Sequence, residues 1–454
     1  MKMVIQMNNE YYHSVVLDKS KCKGCTTCLR NCPTQAIRVR KGKATIIKER
    51  CIDCGECIRV CPYHAKNAVT DKLEILKNYK YTVALPAPTT IAQFKKKISI
   101  NRILTALKKI GFDEVQEVAY GAEIVGEALK YELMEKDVKK PLISSACPAV
   151  VRMIQVRFPE LIPNLVHLES PMEVTARLVR SRLKREKGLK DEEIGLIFIT
   201  PCAAKATTIH SYIPWDNSLS SIDASISIAE IYPEILDRID KVEEEDLQHS
   251  TGRGLIWAHT GGESSYISDK QIINVDGIHN VISVLEEIEN GRLRELDFFE
   301  GLACIGGCVG GCLTVENTFI AKKRIMDRFS EKKTGENDIT DEMIMKAYKS
   351  GLLDREGEIF PMPETPLDSD IQESIKKMET MDKIENTLPG IDCGSCGAPG
   401  CRALAEDIVR GQASEVDCIF VLREAINELS KLMYDLSEKV VPVMKDKEED
   451  ERDD

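Results

Sequence analysis

No secretory leader is visible in the 454-residue sequence, and no apolar run is long enough to cross a bilayer. The expectation is a cytoplasmic protein without a membrane partner. Clustered basic residues are lacking too. The net charge is −12, and runs such as Lys95-Lys96-Lys97 read as a solvated helix face. Nucleic acids and lipid headgroups both reward basic patches, so neither is expected as a partner. A reducing compartment excludes a disulfide framework, yet the chain holds 17 cysteines. They fall in tight clusters instead of scattering through apolar positions, which points to metal or cluster ligation. Length and ordinary apolar content predict about three globular domains.

Cys22, Cys25, Cys28 and Cys32-Pro33 form C-x2-C-x2-C-x3-C-P, and Cys51, Cys54, Cys57 and Cys61-Pro62 repeat it 29 residues later. In two-cluster ferredoxins the fourth cysteine of each motif serves the other cluster. One [4Fe–4S] cluster is therefore expected on Cys22, Cys25, Cys28 and Cys61, and the other on Cys51, Cys54, Cys57 and Cys32. Between the motifs, IRVRKGKATII alternates about Lys-Gly-Lys and reads as a hairpin. Zinc also takes C-x2-C pairs. Two identical quartets, each closed by proline, favour clusters and a role in electron relay.

From about Tyr81 the pattern changes. Tyr81–Leu85, Pro141–Ser145, Ile194–Thr200 and Gln271–Val275 read as buried strands, and Asn101–Ile110 and Ile278–Ile288 as helices. Such alternation predicts α/β layers that hold ligands beyond the carboxyl ends of strands. Cys147 (in PLISSACPAV) and Cys202 (in GLIFITPCAAK) fall at such ends. Further on, Glu300–Cys312 reads EGLACIGGCVGGC, with Cys304, Cys308 and Cys312 four residues apart. Its glycine pairs are expected to let backbone approach a bulky inorganic group and offer it N–H donors. Cys147 or Cys202 alone reads more readily as a buried thiol. Together Cys147, Cys202, Cys304 and Cys308 supply the four thiolates another cubane requires.

These three stretches resemble the signature loops of [FeFe]-hydrogenases, in order, over roughly Tyr81–Thr340. The first family loop ends in Cys-Pro, matched by Cys147-Pro148. The second is Pro-Cys-x-x-Lys, matched by Pro201-Cys202-Ala203-Ala204-Lys205. The third is Glu-x-Met-x-Cys-x-x-Gly-Cys, matched by Glu300, Cys304, Gly307 and Cys308, with Leu302 at the Met position. The resemblance implies an H-cluster: a [4Fe–4S] unit on Cys147, Cys202, Cys304 and Cys308, bridged through Cys308 to a di-iron site with CO, cyanide and a dithiolate. It also implies that Lys205 donates to a cyanide ligand, and that maturation proteins build the di-iron unit.

The departures bear on function. Fast members of the family carry a second cysteine just before the first ligand as proton donor; here that residue is Ala146. Of the glutamates that continue the family's proton path, the nearer aligns with Leu129. Leu302 and Thr200 replace methionines beside the di-iron site. Proton transfer by the usual path should be severely slowed. Cys312 is needed by no cluster. It reads as a buried thiol or as a replacement relay with Glu300 and Glu263. Loss of the standard relay suits an H2 sensor of low activity that reports to a redox or signalling partner, in this family a kinase or phosphatase. It also suits a relative without di-iron, such as the cytosolic assembly proteins of the prelamin-recognition-factor type, or a plain electron-transfer subunit.

Near the carboxyl end, IDCGSCGAPGC presents Cys393, Cys396 and Cys401, and Cys418 closes the set. With ALAEDIVRG as a helix, the segment resembles the small [4Fe–4S] domain of Rnf-type electron-transfer subunits and corrinoid proteins; zinc is the alternative. Eight, four and four cysteines are thus ligands, and Cys312 is spare. The expected cofactors are three accessory [4Fe–4S] clusters and the H-cluster. Leu422, Ile426, Leu429, Leu432, Met433 and Leu436 form an apolar stripe expected to pack back on its own domain, or else to dimerise or signal. The acidic KDKEEDERDD end is expected to be disordered. The fold class is an α/β hydrogenase-like catalytic domain (79–345) with an N-terminal α+β two-cluster ferredoxin domain (1–78). A linker (346–385), a small C-terminal α-rich [4Fe–4S] domain (386–430) and a helix with acidic tail (431–454) complete it.

Overall fold

The computed structural model describes residues 12–135, 138–211, 220–331, 339–362 and 366–439. The acidic end and the middle of the Pro-rich break before Pro366 lie outside them. The chain divides into two compact units.

The larger unit gathers residues 1–22, 31–36 and 47–364. A short antiparallel pair, β1 (Val15–Leu17) with β4 (Lys66–Ala68), frames the first part. The rest is built on two parallel sheets. In one, the order is β6 (Glu114–Val115), β5 (Tyr81–Pro86), β8 (Ile194–Thr200), β9 (Ala224–Ser227). In the other, β11 (Phe298–Leu302) lies between β10 (Ile272–Asp276) and β7 (Leu142–Ile143). A parallel strand covered on both faces must be apolar on both, and all seven residues of β8 are buried. Its side chains alternate: Ile197 and Ile199 join the core with Ile103, Leu107 and Ile226, while Leu196 and Phe198 join the one with Val83, Val179 and Leu183. The second sheet repeats this. Leu142 and Phe298 enter one core, and Ile143 and Phe299 the other.

Helices fill the crossovers with ordinary terminal signals. Ser99 caps Ile100–Lys108 by accepting from the Arg102 N–H at 3.1 Å. Pro171 opens Pro171–Lys187, and Gly188, at φ +63°, ends it. Three strands matter most for function. The carboxyl end of β7 runs into Ser144–Cys147, that of β8 into Pro201-Cys202, and that of β11 into Ala303-Cys304. Ile344 and Leu353, from the charged stretch beyond, are buried in the core with Phe298.

The smaller unit gathers residues 23–30, 37–46 and 365–454. The anticipated hairpin is present as β2 (Ile37–Arg40) paired with β3 (Lys43–Ile46), turning at Lys41 and Gly42 with positive φ. Helices Ile371–Thr387 and Cys401–Val409 pack through Met381, Ile384, Leu388, Leu404 and Ala405. Helix Ile419–Ser437 follows, and here an expectation fails. Its apolar stripe does not pack back: none of its 19 residues is buried, and Leu422 to Leu436 stay 41–64% exposed. Met381, Ile384 and Leu388 already fill the small core, leaving contact only for Val421.

Candidate active site and cluster sites

The three strand ends bring four thiols together. Burial, then the thiols of Cys304 and Cys147, push Cys202 well above the usual thiol range. Burial raises Cys308 to about 12, with Cys147 and Cys304 adding to the shift and Lys205 opposing it. Four crowded thiols that resist ionisation become favourable as thiolates once a cation shares their charge. Turn chemistry holds each loop. Thr200 Oγ1 accepts from the Cys202 N–H at 3.1 Å, and Pro148 starts the helix after Cys147.

The N–H groups of Gly307, Gly310 and Gly311 donate to the Cys304, Gly307 and Cys308 carbonyls within the loop. Their bareness serves loop packing. At Gly307, φ +87°, a Cβ would stand 2.7 Å from His259 Cα. At Gly311 it would stand 2.2 Å from the Pro201 carbonyl, which accepts from the Leu313 N–H. The third loop is thereby seated on the second.

Beside Cys308 lies a cavity whose lining includes Ala146, Lys205, Glu263, Glu300 and Leu302. Phe198 and Trp257 belong to its apolar wall. Lys205 makes no salt bridge among the described residues; its ammonium lies over Phe198, 5.9 Å from the ring centroid. Glu300, 1% exposed, accepts from the N–H groups of Gly261 at 2.8 Å and Ser264 at 2.9 Å. Glu263, 5% exposed, accepts from Ser144 Oγ at 2.5 Å. Burial raises both carboxyls, and for Glu263 the charge of Glu300 raises it further. Thr200 is absent from the lining, because its hydroxyl turns to the Cys202 backbone.

Cys312 stands elsewhere. A Cβ on Gly55 would meet its Sγ at 2.5 Å, and its neighbours include Cys304 and Arg59. It does not line the cavity that Glu263 and Glu300 share. The idea of a relay through Cys312 is corrected accordingly: it lies against the ferredoxin-like loop. Sequence reasoning missed Trp257 and Phe198, which carry no motif and reach the cavity only through tertiary packing, and Ser144, which bonds Glu263 from outside the lining.

In the ferredoxin-like stretch, burial raises Cys51 and Cys54, and the charges of Cys57 and Cys32 add to the shift, so these four lie near one another. Cys22 and Cys61 belong to the larger unit, and Cys25 and Cys28 to the smaller. Near the carboxyl end, Cys393, Cys396, Cys401 and Cys418 line one pocket.

A family model described as the iron only hydrogenase large subunit, C-terminal domain, matches residues 80–312, just over half of the chain. The chain belongs to the [FeFe]-hydrogenase family. A 4Fe-4S dicluster model covers residues 14–62 of this hydrogenase-family chain, and an Fe-S cluster model covers 388–420. Iron hydrogenase 1 of Clostridium pasteurianum is 25% identical over 373 residues, 67% of this chain and 65% of that protein. The cytosolic Fe-S cluster assembly factor oxy-4 of Caenorhabditis elegans is 21% identical over 293 residues, 52% of this chain and 64% of that one. The chain thus spans just under two thirds of each of these relatives. The [FeFe]-hydrogenase HydA1 of Chlamydomonas reinhardtii shares the fold at a TM-score of 0.50 and 18% identity, over 63% of this chain and 95% of that one.

The residues present fit an H-cluster. Four thiols converge, an apolar cavity opens beside Cys308, and Lys205, which has no salt bridge among the described residues, lines it. No helix is long and apolar enough to cross a membrane among the described residues.

Proposed function

We propose that the chain is an H2-sensing [FeFe]-hydrogenase, interconverting H2 with two protons and two electrons at a low rate. The observation that carries this reading is the cavity beside Cys308, which has Lys205 and two buried glutamates but Ala146 where a thiol would stand. On this reading Cys147, Cys202, Cys304 and Cys308 hold the cubane. The ferredoxin quartets, and Cys393, Cys396, Cys401 and Cys418, hold the three accessory [4Fe–4S] clusters. The di-iron unit, when bound, supplies the metal chemistry of H–H cleavage. Lys205 offers its charge to an anionic ligand of that unit.

Glu263 moves protons in place of the missing thiol. Its raised pKa leaves it able both to hold and to release a proton near neutral pH. Ser144 fixes the carboxyl, and the adjoining Ser145 donates to the Leu168 carbonyl at 3.3 Å. On that same segment the His167 N–H donates to Glu132 at 2.6 Å. Glu132 is 2% exposed, its carboxyl is pushed up to about 7 by burial, and its charge reaches Glu263. At the surface Tyr348 donates to Glu135 at 2.5 Å. Glu263 and Glu132 are thus the protonatable groups of this region; the Leu168 carbonyl and the His167 N–H between them position side chains and relay no proton.

Glu132 also makes a stability prediction. Its folded pKa lies above its unfolded value, so it favours folding when protonated, and that contribution fades as pH rises from the unfolded value towards 7. Two to three pKa units correspond to about 3 kcal/mol. Glu132→Gln should flatten the fall in denaturant midpoint between about pH 4.5 and 7.

The second reading is a cluster-assembly or electron-transfer protein without di-iron; Ala146 and the likeness to an assembly factor favour it. The deciding experiment is infrared spectroscopy after reconstitution with [4Fe–4S] clusters and a synthetic di-iron cofactor, with and without H2. CO and cyanide bands that shift under H2 support the sensor. No retained bands, with the cubanes intact, leave the second reading.

A redox or signalling partner, such as a kinase or phosphatase, would read the state of the outer clusters. A second copy of the chain is proposed as the partner of helix Ile419–Ser437. Ile419, Ile426 and Met433 alternate with Leu422, Leu429 and Leu436 at spacings of three and four, the a and d pattern of a two-stranded coiled coil. Leu429→Glu should weaken self-association at least about a hundredfold in sedimentation experiments, as expected for a charge in a buried seam.

A further inference from the structure

We propose that Arg59 is a positioning residue that sets the reduction poise of the cubane ligated by Cys304, and that Glu56 restrains it. The inference rests on the cubane ligand set alone and not on the di-iron unit.

Arg59 lies within the second ferredoxin motif, between Cys57 and Cys61, at the end of the short helix Glu56–Arg59. That helix opens at Gly55, between Cys54 and Cys57, ligands of a ferredoxin-like cluster on the reading above. The side chain reaches away from its own motif. Its Nη1 donates to Cys304 Sγ at 3.4 Å, across 245 residues of chain, and its Nη2 donates to Glu56 at 2.6 Å. The two side chains are 24% and 20% exposed, so water screens this geometry only in part. The guanidinium charge also falls on Cys54, a ligand of the other cluster. The backbones meet here as well. Gly55 has φ +75°, and a Cβ on it would overlap Cys312 Sγ at 2.5 Å and Cys312 Cβ at 2.9 Å. One guanidinium therefore addresses sulfur ligands of two neighbouring clusters.

An N–H···S bond and a positive charge both stabilise the more negative state of a cluster, so they raise its reduction potential. Arg59 thus favours placing an electron on the cubane. Glu56 takes part of the same charge and limits the effect. Arg suits the position better than Lys because its planar fork can hold Glu56 and Cys304 at once, whereas an ammonium is a single point.

The test uses the full chain reconstituted with [4Fe–4S] clusters only, titrated electrochemically and followed by electron paramagnetic resonance. The cubane signal is the one that Cys304→Ala removes. Arg59→Leu should lower the reduced-to-oxidised ratio of that cubane about tenfold at fixed potential, a 59 mV negative shift for a one-electron couple. Arg59→Lys should fall between wild type and Arg59→Leu. Glu56→Gln frees the guanidinium and should shift the cubane the opposite way. Because the Glu56 charge also reaches Cys304 directly, the discriminating variant is the double one: the Glu56→Gln shift should shrink in the Arg59→Leu background, whereas a carboxylate acting by its own charge alone would shift the potential equally in both. The proposal is overturned if Arg59→Leu leaves the cubane potential unchanged at full iron content, or if both substitutions move it in the same direction. Because no di-iron unit is present, either result stands apart from the infrared test of H2 chemistry.

Discussion

Glu263→Gln should lower H2 turnover about a hundredfold while leaving the infrared bands of the loaded protein in place. The amide is nearly isosteric and can still accept from Ser144, so the loop and the cavity wall keep their shape. What it loses is the exchangeable proton, and positioned acid–base groups contribute about 10²–10⁴-fold. The effect should sit near the low end of that range, because Glu300 shares the cavity and retains a carboxyl. Proton–deuteron exchange of H2 should fall in parallel, since exchange needs the same hand-off but no external electron. Cys312→Ala provides the contrast. With its thiol against Gly55 and away from the cavity, this variant should turn over H2 within about twofold of wild type. Loss of turnover in Cys312→Ala together with full activity in Glu263→Gln would reverse the assignment.

Much of the site was legible because cysteine spacing is covalent information. C-x2-C-x2-C-x3-C-P fixes how far apart four sulfurs can lie, and cysteines at the ends of apolar runs placed Cys147 and Cys202 before any fold was known. β8 was readable over its full length because a doubly covered strand is apolar throughout. β11 was not readable. Glu300 and Gly301 interrupt its apolar run, and only the fold shows the Gly261 and Ser264 N–H groups that make a buried carboxylate tolerable there. The side of the cubane on which Cys312 falls was hidden for the same reason, as it depends on how the Cys54–Cys57 loop seats against the third signature loop. The terminal stripe Leu422–Leu436 misled in another way. A 3.6-residue period reports that a face wants cover, and says nothing about whether its own domain has core left to cover it.

Asp407→Ala should destabilise the smaller unit by about 3–5 kcal/mol, the usual cost of stranding buried cations. The Asp407 side chain is 3% exposed on helix Cys401–Val409, and two arginines of the hairpin converge on it. Arg38 Nε donates to both of its oxygens, at 2.9 and 2.8 Å, and Arg40 Nη2 donates at 2.6 Å. Arg38 is 5% exposed and Arg40 28%, so most of the effect belongs to Arg38. The same hairpin bonds the cysteine loop directly. Arg40 Nη1 donates to the Cys396 carbonyl at 2.7 Å, and the Val39 N–H donates to the Gly397 carbonyl at 2.8 Å. At Gly397, φ +80°, a Cβ would stand 1.9 Å from the Val39 carbonyl oxygen, so no other residue permits this approach. Amide hydrogen exchange should therefore accelerate together at residues 37–46 and 401–409 in Asp407→Ala. Asp407→Asn, which keeps an acceptor, should show a smaller effect. Arg402→Ala, on the same helix but in exposed ion pairs, should change stability by less than about 1 kcal/mol. Acceleration confined to 401–409 would mean that the hairpin holds its place without the ion pair. Acceleration at both would show that a sequence segment lying between two ferredoxin motifs depends for its stability on a carboxylate some 370 residues away.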